Sequence, residues 1–295
     1  MGRIETRGLT RTFGDVRAVD GVDLVVRPGG LTGFVGGNGA GKTTTMRMIM
    51  GVLRPDEGEV RWDDRPMTAA DRQLFGYMPE ERGLYPKQQV ADQLTYFGRL
   101  SGMSAGNARE SVAEHLERFG LTERASDRVE TLSLGNQQRV QIIAALLHEP
   151  MALVLDEPFS GLDPAAVDAM ADVLRDRAAS GVPVLFSSHQ LDLVERLCDS
   201  LIVLARGRVV AQGAVDALRS GGPTRYRLVT EADVGWVRDV RGIHVHDVDG
   251  STALMELVAE GADQVVLREA VARGAVREFT RVVPPLSEVY REVTA

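Results

Sequence analysis

Lysine is nearly missing from this sequence: among 34 lysine and arginine residues, only Lys42 and Lys87 are lysines. An arginine bias of that strength reports a GC-rich genome rather than an activity. A basic surplus is missing as well. The formal net charge is -8 and the pI about 5.3, which argues against nucleic acid as a partner, because nucleic-acid binders ordinarily carry a basic footprint. Cysteine occurs once, at Cys198, so no internal disulfide can form, and no Cys or His stands near it at metal-ligand spacing. With no signal-peptide pattern, a reducing, cytoplasmic compartment is expected. Long apolar runs are also lacking. The longest, residues 142–147 and 151–155, fall far short of the roughly 20 residues that span a bilayer. Any service to a membrane is therefore expected from outside the lipid. There is no internal repeat and no low-complexity segment.

What is present is ordinary globular material. The 295 residues, 44% apolar and 26% charged, suffice for one large domain or two unequal ones. Residues 1–30 alternate apolar and polar positions between turn signals at Gly14-Asp15, Gly21 and Pro28-Gly29-Gly30, which predicts a small antiparallel sheet. An apolar strand over 31–35 then runs into a glycine-rich turn and a helical pattern through Met46, Ile49 and Met50. Residues 58–75 read as a strand and a connecting segment. From about 90 to 128 the pattern is mainly helical, with Leu94, Phe97, Leu100, Val112, His115, Leu116 and Phe119 on apolar faces.

A further helix follows Leu132-Ser133 through Val140, Ile143, Ala144 and Leu147. Then come a strand over 152–155, a helix over 165–178, a strand over 184–186 and a helix over 195–199. Continuous apolar strands alternating with helices predict a parallel sheet covered on both faces. Ser220-Gly221-Gly222-Pro223 reads as a linker. Beyond it lie a strand over 226–229, a helix over 232–240, strands over 243–248 and 252–258, a helix over 262–272 and a strand over 277–283. That βαββαβ order fits a small two-layer domain resembling the ferredoxin-like class.

The chemistry begins at Gly36-Gly37-Asn38-Gly39-Ala40-Gly41-Lys42-Thr43. This run satisfies G-x-x-x-x-G-K-[ST], with a strand before it and a helix after it. Consecutive backbone N–H groups must converge on the β- and γ-phosphates of a nucleotide, and glycines are needed wherever φ is positive or a side chain would clash. The helix start near Lys42 adds its partial positive charge. Lys42 is placed to neutralise γ-phosphate charge, and the Thr43 hydroxyl to hold Mg²⁺; Thr44 comes directly after it.

The phosphate loop by itself fits many NTPase families, and four further runs narrow the choice. Leu132-Ser133-Leu134-Gly135-Asn136-Gln137-Gln138-Arg139 resembles the signature motif of ABC ATPases. Ala152-Leu153-Val154-Leu155-Asp156-Glu157-Pro158 resembles their Walker B strand, Ser160-Gly161-Leu162-Asp163-Pro164 their D-loop, and Ser187-Ser188-His189 their switch histidine. All occur in the family's order, over about residues 3–220. The implied fold is α/β: a P-loop NTPase of the ABC ATPase type, with an antiparallel β subdomain and a helical subdomain at about 80–135. The ferredoxin-like α+β domain, 221–295, comes after the ATP-binding domain, 1–220.

The resemblance also implies roles. Asp156 would bind Mg²⁺, and Glu157 would polarise the attacking water as general base. His189 would contact the γ-phosphate. Phe13 stands where the family stacks an aromatic on adenine, with 16–19 lining the site. Ser133, Gly135 and Asn136 sit at a helix start, a second anion site that in this family faces the γ-phosphate held by the other subunit. One phosphate loop and one signature per chain imply a complete site made by two ATP-binding subunits, a homodimer being the simplest form, sandwiching two ATP. A separate multi-spanning membrane subunit is implied as well.

Some positions depart from the family pattern. Glu80 stands where the family has glutamine, a position that touches Mg²⁺; a carboxylate can also ligate it. Gly37 replaces a common proline, and Asn136 replaces the signature glutamine. Gln88 and Gln89 are expected on the membrane-subunit contact surface. The stretch over 79–86, the variant signature and the extra C-terminal domain together resemble ATP-binding subunits of sodium- and drug-efflux exporters.

The expected function is thus an ATP-hydrolysing subunit of an ABC exporter, peripheral on the inner face of the cell membrane, with an ABC-type ATPase of non-transport regulatory role as the alternative. DNA-repair members need a long coiled-coil insertion between phosphate loop and signature, where only about 90 residues lie here. Translation-associated members carry two cassettes. A nucleotide-gated module that does not hydrolyse is disfavoured by Glu157 and His189. His115, His148, His244 and His246 read as ordinary histidines, and the C-terminal domain as a regulatory, dimerising or merely stabilising module.

Overall fold

The computed structural model describes residues 2–81, 83–221 and 224–294. Arg82 of the 79–86 stretch, and Gly222 and Pro223 of the expected linker, lie outside the described residues. Apart from the last two positions, the chain divides into two compact units, residues 1–214 and 215–293.

The first unit begins with β1 (Ile4–Phe13), β2 (Val16–Val26), β3 (Leu31–Val35), α1 (Lys42–Ile49), β4 (Glu57–Trp62), β5 (Arg65–Pro66), α2 (Ala69–Gln73) and β6 (Phe75–Met78). It continues with α3 (Val90–Leu100), α4 (Ala105–Arg118), α5 (Leu134–Leu146), β7 (Ala152–Leu155), α6 (Pro164–Ala179), β8 (Val184–Ser188), α7 (Leu191–Leu197), β9 (Ser200–Ala205) and β10 (Arg208–Ala214).

The antiparallel sheet runs β2-β1-β4-β5. Its hairpin turns at Gly14-Asp15 as the sequence predicts, but Gly21 makes no turn. It lies inside β2 at φ 62, where its N–H donates to the Thr10 hydroxyl at 3.1 Å and the β1–β2 register shifts. A glycine within a strand here marks a bulge.

The second sheet runs β10-β9-β3-β8-β7-β6, and β9, β3, β8, β7 and β6 are parallel to one another. Every residue of β3, β7 and β8 is buried, as expected of strands covered on both faces. The sequence pattern at 58–75 indicates only a strand and a connection. In the structure Phe75 opens β6, an edge strand of this sheet beside β7. Four residues with a glycine in the middle are too short for a pattern of their own; the Gly76 position is required because a Cβ there would collide with the Ala145 carbonyl oxygen. The helix expected over 195–199 is α7, over Leu191–Leu197. It ends before Asp199, whose carboxylate instead accepts from the Leu31 N–H at 2.7 Å.

The second unit holds α8 (Val215–Ser220), β11 (Arg225–Thr230), β12 (Ile243–Asp249), β13 (Thr252–Leu257), α9 (Ala262–Arg273), β14 (Val276–Val282) and α10 (Leu286–Thr294). Its four strands form an antiparallel sheet in the order β12-β13-β11-β14, the order a βαββαβ ferredoxin-like unit adopts. The helix expected over 232–240 shrinks to a 3₁₀ turn at Gly235–Asp239. The Asp233 carboxylate accepts from the Gly235 N–H at 2.8 Å, a local bond that competes with helix formation. Leu228, Val237, Ala253, Met255 and Val266 form the core. The terminal helix α10 folds back on this unit: the buried Arg225 guanidinium pairs with Glu288 and, at 2.9 Å, with Glu292, while Leu286 and Val289 are buried.

Candidate active site

The parallel order explains the site. Because β6, β7, β8 and β3 are neighbours running the same way, the segments leaving their C-terminal ends converge on one edge of the sheet, where open α/β sheets bind ligands. After β3 comes the 36–43 loop; after β7, Asp156 and Glu157; at the end of β8, Ser187 and then His189; after β6, Glu80. A cleft of about 1030 Å³ opens there, and its walls include Phe13, Asn38, Gly39, Ala40, Gly41, Lys42, Thr43, Thr44, Glu80, Asp156, Glu157 and His189.

The loop's glycines stand where its backbone needs them. Gly39 and Gly41 have φ 74 and 105, and a Cβ on Gly41 would sit 2.5 Å from the Ala18 carbonyl oxygen. A Cβ on Gly36 would sit equally close, 2.5 Å, to that of Leu204. Gly36 and Gly37 enter through their carbonyls, which accept from the Lys42 ammonium at 2.7 and 3.4 Å. The first turn of α1 carries no acidic residue, leaving its N-terminal dipole uncompensated for an anion. Phe13 is 48% exposed, so it lies on the wall rather than in a core, with the Arg11 guanidinium 5.0 Å from its ring centre. Of the 16–19 run only Ala18 lines the cleft; Val19, its neighbour on the opposite face of β2, belongs to the core, and Val16 at the start of the strand is exposed.

The acidic half of the cleft is ordered by hydrogen bonds. Asp156 is 1% exposed; its Oδ1 accepts from the Ser187 hydroxyl at 2.5 Å, and its Oδ2 is buried with no hydrogen-bond partner. Glu157 takes a left-handed backbone, φ 52, and its Oε2 accepts from His189 Nδ1–H at 3.0 Å. The Thr43 hydroxyl donates to Glu80 Oε2 at 3.4 Å. Behind Asp156, burial and then the Asp156 charge push the Tyr77 hydroxyl above its usual range, so it stays neutral at physiological pH.

Among the described residues, the carboxylates of Glu80, Glu81, Asp156 and Glu157 and the ammonium of Lys42 line the cleft. The Thr43 hydroxyl, the orphaned Asp156 Oδ2 and the Glu80 carboxylate are all hard oxygen donors, which fit Mg²⁺. Among the described residues no group of three or more His, Cys, Asp or Glu side chains is arranged to hold a metal by itself. The set therefore suits a cation shared with phosphate oxygens, the usual habit of magnesium.

Ser133, Gly135 and Asn136 are not brought into this cleft. Ser133 is the N-cap of α5, its hydroxyl accepting from the Asn136 N–H at 3.3 Å, and Gly135 abuts the Gly161 carbonyl. Two residues that line or support the site do not stand out in the sequence. Ser187 bridges Asp156 and Glu157, and Gln138, from the same helix as Ser133, donates to the Glu157 and Pro158 carbonyls at 2.9 and 3.0 Å. Both lie inside the motif runs quoted above, but neither position is distinguished by residue type; only the fold shows what they touch. Gln88 and Gln89 are exposed.

Residues 19–160 match the ABC transporter family, and residues 213–294 match the C-terminal domain of DrrA1-3-like ATP-binding proteins. An uncharacterized ABC transporter ATP-binding protein of Bacillus subtilis, YhaQ, is 40% identical over 285 residues, 96% of each chain. The Nod factor export ATP-binding protein I of Paraburkholderia xenovorans is 38% identical over 218 residues, 73% of this chain and 72% of that one. The solved structure of an ATP-binding subunit of an ABC transporter superposes with a TM-score of 0.68 at 33% identity, covering 74% of this chain and 92% of that one. The chain belongs to the ABC transporter ATP-binding protein family, whose members bind and hydrolyse ATP and work with a membrane subunit. Among the described residues no helix is long and apolar enough to cross a membrane.

Proposed function

We propose that this chain is the ATP-hydrolysing subunit of an exporter, seated peripherally on the inner face of the membrane against a separate multi-spanning subunit. Two copies would act head to tail. The observation that carries this reading is the division of the motifs. The phosphate loop, Asp156, Glu157 and His189 share one cleft, while Ser133, Gly135 and Asn136 of the same chain stay outside it. A second chain would supply its own α5 N-terminus to close the site over the triphosphate.

In the closed site the 39–44 backbone and Lys42 bind the phosphates, and Phe13 offers its exposed face to the base. Thr43, Asp156 and Glu80 would hold Mg²⁺, which when bound screens phosphate charge and orients the γ-phosphoryl group. Glu157, kept in place through His189, accepts the proton of the attacking water. His189 holds the γ-phosphate end of that geometry. The 1–220 segment would do this work, and the domain over 221–295 would regulate or dimerise it. The export direction is supported by the likeness to an export ATP-binding protein.

The test is purification of the tagged chain from detergent-solubilised native membranes with mass spectrometry of its companions. Recovery of a multi-spanning protein supports the reading. Recovery of soluble proteins alone would move it to a non-transport ATPase.

A further inference from the structure

Among the described residues lining the cleft, Glu157 is the one other than glycine with a positive φ. Its value of 52 is a conformation that a residue with a Cβ adopts only when its surroundings impose it. Its surroundings do so from both sides. The Glu157 N–H donates to the buried Ser187 hydroxyl at 2.8 Å, and the Glu157 carbonyl accepts from Gln138 Nε2 at 2.9 Å. The same Gln138 amide donates at 3.0 Å to the next carbonyl, of Pro158. Gln138 is 6% exposed, so these bonds are shielded from water. It also belongs to α5, little more than one turn beyond the Ser133 cap, and a helix moves as a rigid rod over that distance.

We propose that Gln138 is a positioning residue. It clamps the backbone of Glu157 so that the carboxylate points into the chain's own cleft, and it thereby ties the Ser133 end of α5 to the acid of the same chain. A displacement of that helix end, such as the contact with a second chain's nucleotide would bring, pulls on the Glu157 carbonyl directly. This rests on the reading of Glu157 as general base.

The experiment measures steady-state ATPase kinetics and single-turnover phosphate release for wild type, Gln138→Met, Glu157→Gln and the double variant, with thermal unfolding of each. Met keeps the length of Gln and removes its donor. Expected is a kcat lowered ten- to hundredfold, the scale of a small misplacement of a reacting group, with KM for ATP within about twofold. In the Glu157→Gln background the same substitution should add no further loss, since Gln138 acts only through Glu157. Gln138→Asn, which keeps the amide but withdraws it by one methylene, should show the same split if Gln138→Met folds poorly. Wild-type kcat in Gln138→Met beside an inactive Glu157→Gln would overturn the proposal and leave the general base intact. Equal losses in both backgrounds would also overturn it, making Gln138 merely structural. Full turnover in Glu157→Gln would instead remove the underlying reading.

Discussion

Gly41→Ala and Gly39→Ala differ by one atom's surroundings and should separate sharply in ATP affinity. Both positions have positive φ, 105 and 74, where an L side chain is strained by about 1–2 kcal/mol. At Gly39 nothing lies within 4 Å of the added Cβ, so strain is the whole effect. At Gly41 the Cβ arrives 2.5 Å from the Ala18 carbonyl oxygen, 3.3 Å from the Leu204 Cδ2 and 3.3 Å from the Val19 Cγ2. The first contact is with backbone held in the β1–β2 sheet, and it cannot swing aside like a flexible side chain. Overpacking of this kind costs about 1–3 kcal/mol. The loop relieves it by leaving the geometry that converges its N–H groups, so the excess appears as lost affinity, about 5- to 150-fold beyond the Gly39 variant. Titration with a fluorescent ATP analogue in the presence of Mg²⁺ reads the difference, and thermal unfolding checks that both variants fold. Equal affinities within about twofold would mean that the carbonyl contact has no consequence at the phosphates.

Lys42→Ala removes the ammonium that lines the cleft and should lower ATPase activity by about two orders of magnitude or more, with weakened nucleotide binding by calorimetry; wild-type binding would contradict the phosphate-loop assignment. Burial holds both His115 and His148 below the usual imidazole range, so the unfolded chain takes up protons first as pH falls. Stability is therefore fully present above about pH 6.5 and is lost as pH falls toward the lower folded values, with a slope of up to about 1.4 kcal/mol per pH unit for each histidine. Urea midpoints at about pH 7.5 and pH 5.5 check this, and His115→Leu should flatten the difference. In the C-terminal unit, Arg225→Met deletes a cation whose side chain is only 7% exposed while its partners Glu288 and Glu292 keep access to water, at 34% and 52%. The expected loss is about 1–3 kcal/mol, seen as faster amide exchange across α10; unchanged protection would count against the clasp.

Much of the fold is legible from residues whose physical demands are narrow. The buried strand β7 is an uninterrupted apolar run whose ends are readable to the residue, as are those of β3, whereas β8 carries on through Ser187 and Ser188, two residues past the apolar stretch over 184–186. The phosphate loop is readable because its glycines and Lys42 stand at the fixed spacing that brings backbone N–H groups around an anion. The four strands of the C-terminal unit are readable from alternation. Elements defined by tertiary context are not. Gly21 reads as a turn but is a bulge, since only strand pairing tells the two apart. The segment over 232–240 has helical spacing, yet the Asp233–Gly235 turn wins over it. At the site, Asp156, Glu157, His189 and Lys42 are evident from their motifs. Ser187 and Gln138, by contrast, act through bonds to atoms 19 to 31 residues away, and neither a hydroxyl nor an amide at those positions is distinctive in a linear string.

If one chain's cleft is completed by the α5 N-terminus of another, sedimentation of Glu157→Gln with and without ATP will show it. With ATP·Mg²⁺ the 32.0 kDa chain should double in mass, and adding Ser133→Arg should abolish the doubling while ATP still binds the monomer. A single-chain mass at saturating ATP, or doubling that survives Ser133→Arg, would contradict it.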